Sequence, residues 1–395
     1  LTDNEILSYC VLQNPNNIPS LFYPYLEASI HDSSYILTQY DALNYISKFI
    51  KGRSISRTQR ILSDYFLPHV GEINFTEKAY HLGYIVNKLL FVASGLETDT
   101  DRDSYKYKRL SLIGPMLKKL FREYYKDQNK TIQKFFETRY EFGKDTYKDI
   151  SELIYKKYNE AFSNRIVDTG FKKAYKGNWG AHAHTKVIGA VQDLNRLSHN
   201  GLVSHLRKTN LPLDSSVKLV GPRVLHGSQW GIMDPIDTPD GGNIGLHKHL
   251  SIMTHVSNNL SRLPLLEWLE NNVSIIKLTS ITPNRVSNLV KVIVNGYWCG
   301  CVSDPNTLLN TVKLHRRHGL IPNTVNVMFE TQKSTIIINC DGGRLCRPIF
   351  YSDKNKFIFE DNEKWKVINE VIFSPDKKDL WINLISGFHN KKIKD

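Results

Sequence analysis

The stretch GPRVLHGSQWGIMDPIDTPDGGNIGL fills positions 221–246. It holds six glycines, three prolines, three aspartates and one tryptophan, and TPDGG at 238–242 encodes a compact turn. Pro239 fixes φ, the Asp240 carboxylate accepts local amide hydrogen bonds, and Gly241 and Gly242 permit positive φ. A structural turn explains that much. It does not explain what feeds into it. Residues 165–223 carry ten Lys or Arg against three Asp, with glycines at 170, 177, 180, 189, 201 and 221. This is a basic, loop-rich region with short helices. NGLVSHLRKTNLP (200–212) places Arg207 and Lys208 at the end of a short helix, just before a loop. Cations and amides so placed can hold a passing phosphate backbone; a solvated loop accounts for the same residues.

Upstream the text is helical. DALNYISKFIKGR (41–53) has Asp41 as N-cap, apolar Leu43, Ile46, Phe49 and Ile50, and Gly52 after the end. EKAYHLGYIVNKLLFVASG (77–95) repeats the pattern and stops at Gly95. From Pro115 to about Phe162, two apolar stripes are expected to face a core: Leu117, Leu120, Phe121 and Tyr124, then Ile150, Leu153, Ile154 and Tyr158. The Lys and Glu between them read as wet faces. Beyond residue 270 strands take over. NLVKVIVNGYWCGCVSD (288–304) predicts a hairpin turning at Asn295-Gly296, and STIIINCDGGRLCRPIF (334–350) a second turning at Asp341-Gly342-Gly343. Between them Asp304 caps and Pro305 opens a helix ending near Gly319. The fold class is α+β and multi-domain: a helical N-terminal half, a mixed middle and a β-rich C-terminal part.

The 395 residues suggest roughly two to four domains. A formal net charge of +13 favours polyanionic partners, nucleic acid first, although a solvated basic surface has the same composition. The five cysteines (Cys10, Cys299, Cys301, Cys340, Cys346) form no CxxC pair and read as reduced thiols of an intracellular protein. Cys299 and Cys301, two apart on one strand, are expected on the same face. No apolar run approaches the roughly 18 residues of a membrane span. The opening LTDNEILSYC has no initiator Met and no signal-type core, so the chain reads as a piece of something longer.

Metal-like motifs are weak. DTDRD (Asp99, Asp101, Asp103) imitates a cation loop, but the sixth and twelfth positions of an EF-hand fall on Ser104 and Leu110. An acidic turn pairing with Lys106, Lys108 and Arg109 is the better reading. HAH (His182, His184) and HKH (His247, His249) lack Cys or carboxylate partners at finger-like spacing. No Walker loop, GxSxG or HExxH occurs.

The 221–246 stretch resembles the signature of the second-largest, β-type subunit of multisubunit DNA-dependent RNA polymerases, a P-R motif followed by W-G and T-P-E-G. Further segments have family counterparts in the expected order. ILSDYFLPHVG (61–71) and DTDRDSYKYKRLSLIGPML (99–117) come first. GNWG (177–180), VQDLNRLSHNGLVSHLRKTNLP (191–212), VIVNGYWCGCVSDP (292–305) and CDGGRLCRPIF (340–350) follow. The resemblance covers nearly the whole chain. It implies a lobe-like region at 1–104, a protrusion-like helical region at 105–166 and a fork-like region at 167–250 bordering the active-site cleft. An external-1-like α/β region at 251–350 and the start of an external-2-like region at 351–395 complete the layout.

The resemblance also implies roles. Gln192, Asn195, Arg207 and Lys208 match fork residues near RNA or template, and Arg223 matches the Arg of the P-R motif. Asp240 matches the Glu of T-P-E-G, near the nucleotide. Asp240 is one methylene short of that Glu, and Asp234 stands where cellular enzymes usually carry Cys. Both point to a diverged lineage, a large DNA virus of eukaryotes first and a cellular enzyme second. A viral factory, the virion or the nucleus would then house the protein. The implied reaction is RNA synthesis from NTPs on a DNA template, using Mg2+ held mainly by the largest subunit; zinc is not expected in this segment. Implied partners are the largest and other polymerase subunits, DNA template, nascent RNA and NTPs, and no membrane. The implied chain is part of an enzyme and no catalyst alone; the alternative is a non-catalytic scaffold or assembly module derived from the same subunit.

Overall fold

The computed structural model describes residues 2–13, 19–143, 149–349, 352–353 and 356–357. In chain order the described helices are α1 (Asp3–Val11), α2 (Tyr23–Ser33), α3 (Gln39–Ser47), α4 (Ile55–Asp64), α5 (Phe75–Ala93), α6 (Ile113–Phe142), α7 (Ile150–Ala161), α8 (Ile166–Tyr175), α9 (His199–Leu206), α10 (Leu263–Asn272) and α11 (Pro305–Arg317). The strands are β1 (Lys208–Asn210), β2 (His247–His249), β3 (His255–Val256), β4 (Ile276–Lys277), β5 (Val290–Val294), β6 (Tyr297–Val302), β7 (Asn326–Glu330), β8 (Thr335–Asn339), β9 (Leu345–Cys346), β10 (Ser352–Asp353) and β11 (Lys356–Phe357). Helices fill the first half and the larger sheet lies in the C-terminal part, as an α+β chain requires. Apart from β10 and β11, the expected external-2-like start at 351–395 lies outside the described residues.

The chain divides into two structural units, each discontinuous in sequence. One comprises 1–101, 258–341 and 349–395; the other comprises 102–257 and 342–348. The first is built on a five-stranded sheet of order β4-β6-β5-β8-β7, antiparallel except for the β5–β8 pair. The β5–β6 hairpin turns where the sequence predicts. Asn295 (φ 49°) and Gly296 (φ 79°) are both left-handed, as a two-residue turn matching strand twist demands. Leu269 of α10 and Leu308 and Val312 of α11 pack with Val292, Val294, Ile336 and Ile338 in one core. Asp304 caps α11 by accepting from the Asn306 and Thr307 amides (3.0 and 3.3 Å).

A second core joins the N-terminal helices to the C-terminal strands. Tyr80 of α5 meets Trp298 edge-on at 5.9 Å, within a cluster that includes Leu278, Ile281, Val286, Ile293 and Cys301. The Tyr80 hydroxyl donates to the Ile281 carbonyl, and Tyr297 donates to the Glu77 carboxylate at 2.7 Å. The expected lobe-like and external-like regions therefore share one hydrophobic interior.

In the second unit α6 contacts α7 and α8. Leu120, Ala174 and the GNWG tryptophan, Trp179, form its buried centre, flanked by Leu117, Tyr124 and Phe171. The protrusion-like and fork-like stretches meet there. Two short ladders follow. β1 and β2 pair antiparallel, with Lys208 opposite His249 and Asn210 opposite His247. β3 pairs with β9.

Four expectations are corrected. The second hairpin does not form. β8 joins the large sheet while β9 pairs with β3, because the turn between them is captured from both sides. The Asn295 side chain accepts the Cys340 and Asp341 amides (2.8 and 3.2 Å), and the Gly343 amide donates to the Ser257 carbonyl (2.9 Å). Cys299 and Cys301 do not share a face: Cys299 packs against the first core and Cys301 lies in the second. A bulge opposite Val292/Ile293 shifts the alternation by one residue. Asp41 is not the N-cap of α3. Thr38 is, and Asp41 is the third helical residue of a reciprocal capping box. Finally, Leu120 and Leu153 are buried, but Phe121, Ile150, Ile154 and Tyr158 are exposed, because one row of each helix meets its neighbours.

Candidate nucleic-acid interface

The β1–β2 ladder is the spine of the fork-like region. Ser198 caps α9 by accepting the Gly201 amide (3.0 Å), and α9 runs directly into Arg207 and β1. The loop before α9 carries Gln192 and Asn195, and His205, on α9, gathers both. The Asn195 amide donates to His205 Nδ1 (3.1 Å), so that nitrogen holds its lone pair. Nε2 therefore carries the proton and donates to Gln192 Oε1 (3.0 Å). The Gln192 amide nitrogen in turn donates to the Gly189 carbonyl (3.1 Å), which fixes the orientation of its amide. Sequence reasoning missed His205; its signal was a histidine in the last turn of the helix that precedes Arg207.

Arg207 and Lys208 are neighbours with different commitments. The Arg207 guanidinium donates to the Ser251 and Ile252 carbonyls (2.6 and 3.4 Å), tying α9 to the segment after β2. Lys208 is exposed, and no hydrogen bond or ion pair among the described residues engages its ammonium. Lys208 and burial together hold His247 below the ordinary imidazole pKa, burial being the larger cause.

The 221–246 stretch is held by its own backbone. Arg223 is the clamp. One terminal nitrogen donates to the Gly242 and Ile244 carbonyls (2.7 and 2.9 Å), and the other to those of Ser215 and Val217 (3.1 and 3.3 Å). All four terminal N–H groups are thereby used, so the Arg223 guanidinium braces the turn. The clamp requires close approach: a Cβ on Gly245 (φ 72°) would fall 2.3 Å from the Arg223 carbonyl oxygen. Thr238 stitches the base of the turn, donating to the His247 carbonyl and accepting the Gly245 amide, both at 2.9 Å.

The aspartates divide the work in a way the sequence did not reveal. Asp234 accepts the Ile236 and Asp237 amides (2.9 and 3.2 Å), which hold its carboxyl below the usual range. Asp237 lies 3.4 Å from the Ser204 hydroxyl, linking the turn to α9, and 4.0 Å from His249 Nε2. Asp240 was expected to stabilise its own turn. It precedes the single helical turn Gly241–Asn243, yet its side chain makes no capping bond, and it is exposed. Beneath, Lys248 is buried. Its ammonium donates to the Val224 carbonyl and Gln229 Oε1 (3.2 and 3.3 Å) and sits 5.9 Å from the Tyr105 ring. Burial lowers its pKa, against the pull of Asp103.

The six sequence-predicted residues thus fall on one connected structure. His205 gathers Gln192 and Asn195. α9 and β1 carry Arg207 and Lys208. Arg223 grips the turn that carries Asp240, and the Leu211 amide ties the two halves by donating to the Leu246 carbonyl (3.0 Å). Among the described residues no group of three or more His, Cys, Asp or Glu side chains draws together to hold a metal. Asp240 stands as a single carboxylate. What the arrangement offers is a braced loop on which, among the described residues, the Lys208 cation and the Asp240 anion stay exposed and unengaged.

Three family models match in succession: RNA polymerase Rpb2 domain 2 over residues 1–111, domain 3 over 192–256 and domain 4 over 292–353. The chain is 34% identical over 404 residues to the DNA-directed RNA polymerase II subunit RPB2 of Encephalitozoon cuniculi, covering 98% of this chain and 33% of that protein. It is 34% identical over 374 residues to DNA-directed RNA polymerase II subunit 2 of Arabidopsis thaliana (92% and 30%). It is 29% identical over 385 residues to the DNA-directed RNA polymerase subunit Rpo2 of Saccharolobus solfataricus (92% and 32%). The chain belongs to the family of second-largest subunits of DNA-directed RNA polymerase. It spans about a third of the length of the curated relatives it matches.

Proposed function

We propose that this chain is the part of a DNA-directed RNA polymerase that borders the DNA–RNA cleft and positions nucleic acid and the incoming NTP during transcription. The observation that carries the reading is the division of charge in the fork-like region. Arg207, Arg223, Asp234 and Lys248 bond to the loop's own backbone and side chains, while Lys208 and Asp240 stay exposed and unengaged among the described residues. A loop this tightly braced offers the Lys208 ammonium to a phosphate backbone, while the Asp240 carboxylate, which repels phosphate, suits the hydroxyl or amine hydrogens of an incoming nucleotide. Gln192 and Asn195, held by His205, add amide groups beside it. Arg207 and Arg223 act behind these contacts as positioning residues.

The chemistry of phosphodiester formation, with its Mg2+, is assigned to the largest subunit, and the other subunits, DNA, RNA and NTPs are the partners of the assembled enzyme. Within it, 1–104 serves as lobe, 105–166 as protrusion, 167–250 as fork and 251–350 as first external region. Asp234 and Asp240 support a diverged, viral lineage, although the relatives named above are cellular; genes flanking the coding sequence decide it. The functional test is Asp240→Ala in the assembled enzyme. A charge-assisted contact is worth about 1.5–3 kcal/mol, so the KM for NTP should rise roughly tenfold or more with the assembly intact. An unchanged KM would remove Asp240 from the reading.

A further inference from the structure

The HKH motif at 247–249 has no part in the contacts proposed above. In the β1–β2 ladder it alternates as a strand must. Thr209 and Lys248 share the inward face, where Lys248 is buried, while Lys208, Asn210, His247 and His249 share the other. His249 is the exception on that outer face. Its side chain is only 15% exposed, and Nε2 is buried with no hydrogen-bond partner among the described residues. Asp237 Oδ2 lies 4.0 Å away, about 1 Å beyond hydrogen-bond reach, and the same oxygen lies 3.4 Å from the Ser204 hydroxyl of α9. The backbone already brings the two residues together. The His249 carbonyl accepts the Asp234 amide (2.8 Å), and the Asp234 carboxylate accepts the Asp237 amide (3.2 Å). Asp237 is partly exposed, which leaves its carboxylate room to turn.

We infer that His249 and Asp237 act as a pair of positioning residues: Nε2 closing onto Oδ2 clamps the turn that carries Asp240 to the strand pair that carries Lys208. The buried nitrogen gains the partner it lacks, and the bond is strongest when the imidazole is charged. Three elements then share one carboxylate: α9 through Ser204, β2 through His249 and the turn through Asp237 itself. The charges around the imidazole favour closure. Asp237 and Asp234 face it; after the Ile236 and Asp237 amides, His249 is a further cause of the low Asp234 carboxyl pKa. Against them stand the Lys208 ammonium across the ladder and His247 two residues back. Arg207 is committed to the Ser251 and Ile252 carbonyls. The inference rests on the fork reading for what Lys208 and Asp240 contact.

The test is a double-mutant cycle of Asp237→Asn, His249→Asn and both together. In the full chain, protease cleavage of the 234–246 loop is normalised to a free peptide of the same sequence and followed at pH about 6 and about 8, the range over which an imidazole loses its charge. At the lower pH each single substitution should speed cleavage by about three- to tenfold, and the double by no more than either single. The excess should shrink at the higher pH. Asp237→Glu, which keeps the charge and lengthens the reach, should cleave as the wild type does. Additive effects, or equal coupling at both pH values, overturn the inference. In the assembled enzyme both Asn variants should raise the KM for NTP about threefold or more with kcat little changed. Asp240→Ala is measured beside them. If it raises KM and the Asn variants do not, the inference falls and the fork reading stands. If none of the three raises KM, the fork reading falls and cleavage still decides the pair.

Discussion

At the scale of the residue, the fork-like region shows cations bonded to the chain's own carbonyls. Arg207 and Arg223 are legible in the sequence as basic loop residues, and a phosphate partner is the natural inference. Their planar forks are used on carbonyls whose positions depend on contacts 6–45 residues away in the chain, which no local pattern encodes. Arg223→Ala should therefore cost about 1–2 kcal/mol and open the 234–246 loop to protease, and Arg223→Lys should not restore it, since an ammonium cannot span four acceptors. Limited proteolysis with urea titration reads both. A separate pair titrates in the other unit. His69 and His81 face each other, Nε2 to Nε2, at 3.3 Å. Burial holds both below the ordinary value of 6.5, with Arg262 adding to the effect on His69 and His69 on His81. Between the folded values and 6.5 the unfolded chain binds more protons, so stability falls as pH drops through about 6.5 and is level above it. Urea midpoints at about pH 7.5 and 5.5 should differ, and the difference should shrink when both histidines are changed to Gln.

At the scale of the element, local signals worked where the element closes on itself. The Asn295-Gly296 hairpin, the α11 start at Asp304-Pro305 and the end of α5 at Gly95 were all written in the sequence, because each depends on residues within one turn. The β8–β9 hairpin was misread because the Asp341-Gly343 turn chemistry is real, but its strands find partners elsewhere. Asn295 is the pivot of that outcome, serving its own turn and the Cys340 and Asp341 amides together. Asn295→Ala is expected to cost about 2–3 kcal/mol, more than an ordinary turn residue, and Asn295→Gly about the same, because the lost acceptor and not the backbone conformation dominates. The cysteines illustrate the converse. Period-two alternation fails at one bulge, and burial then pushes the thiols up to about 12 for Cys299 and about 11 for Cys301, leaving both unreactive at neutral pH.

At the scale of the molecule, the order of family segments was readable along the chain, but their grouping was not. Residues 1–101 and 258–341 share a core around Tyr80 and Trp298, and residues 102–257 form another body with 342–348. Trp298→Ala should cost about 3–5 kcal/mol. It should lower amide protection in α5 as well as in β5 and β6, while α6 and α8 keep theirs; hydrogen exchange checks this. The central claim is that Lys208 and Asp240 face nucleic acid in the working polymerase. Photo-crosslinkers placed singly at positions 208 and 240, and at exposed Leu320 as a reference, measure it in a halted transcription complex. The account predicts crosslinks to template, transcript or NTP from 208 and 240 and none from 320. Crosslinks from 208 and 240 to protein alone would contradict it.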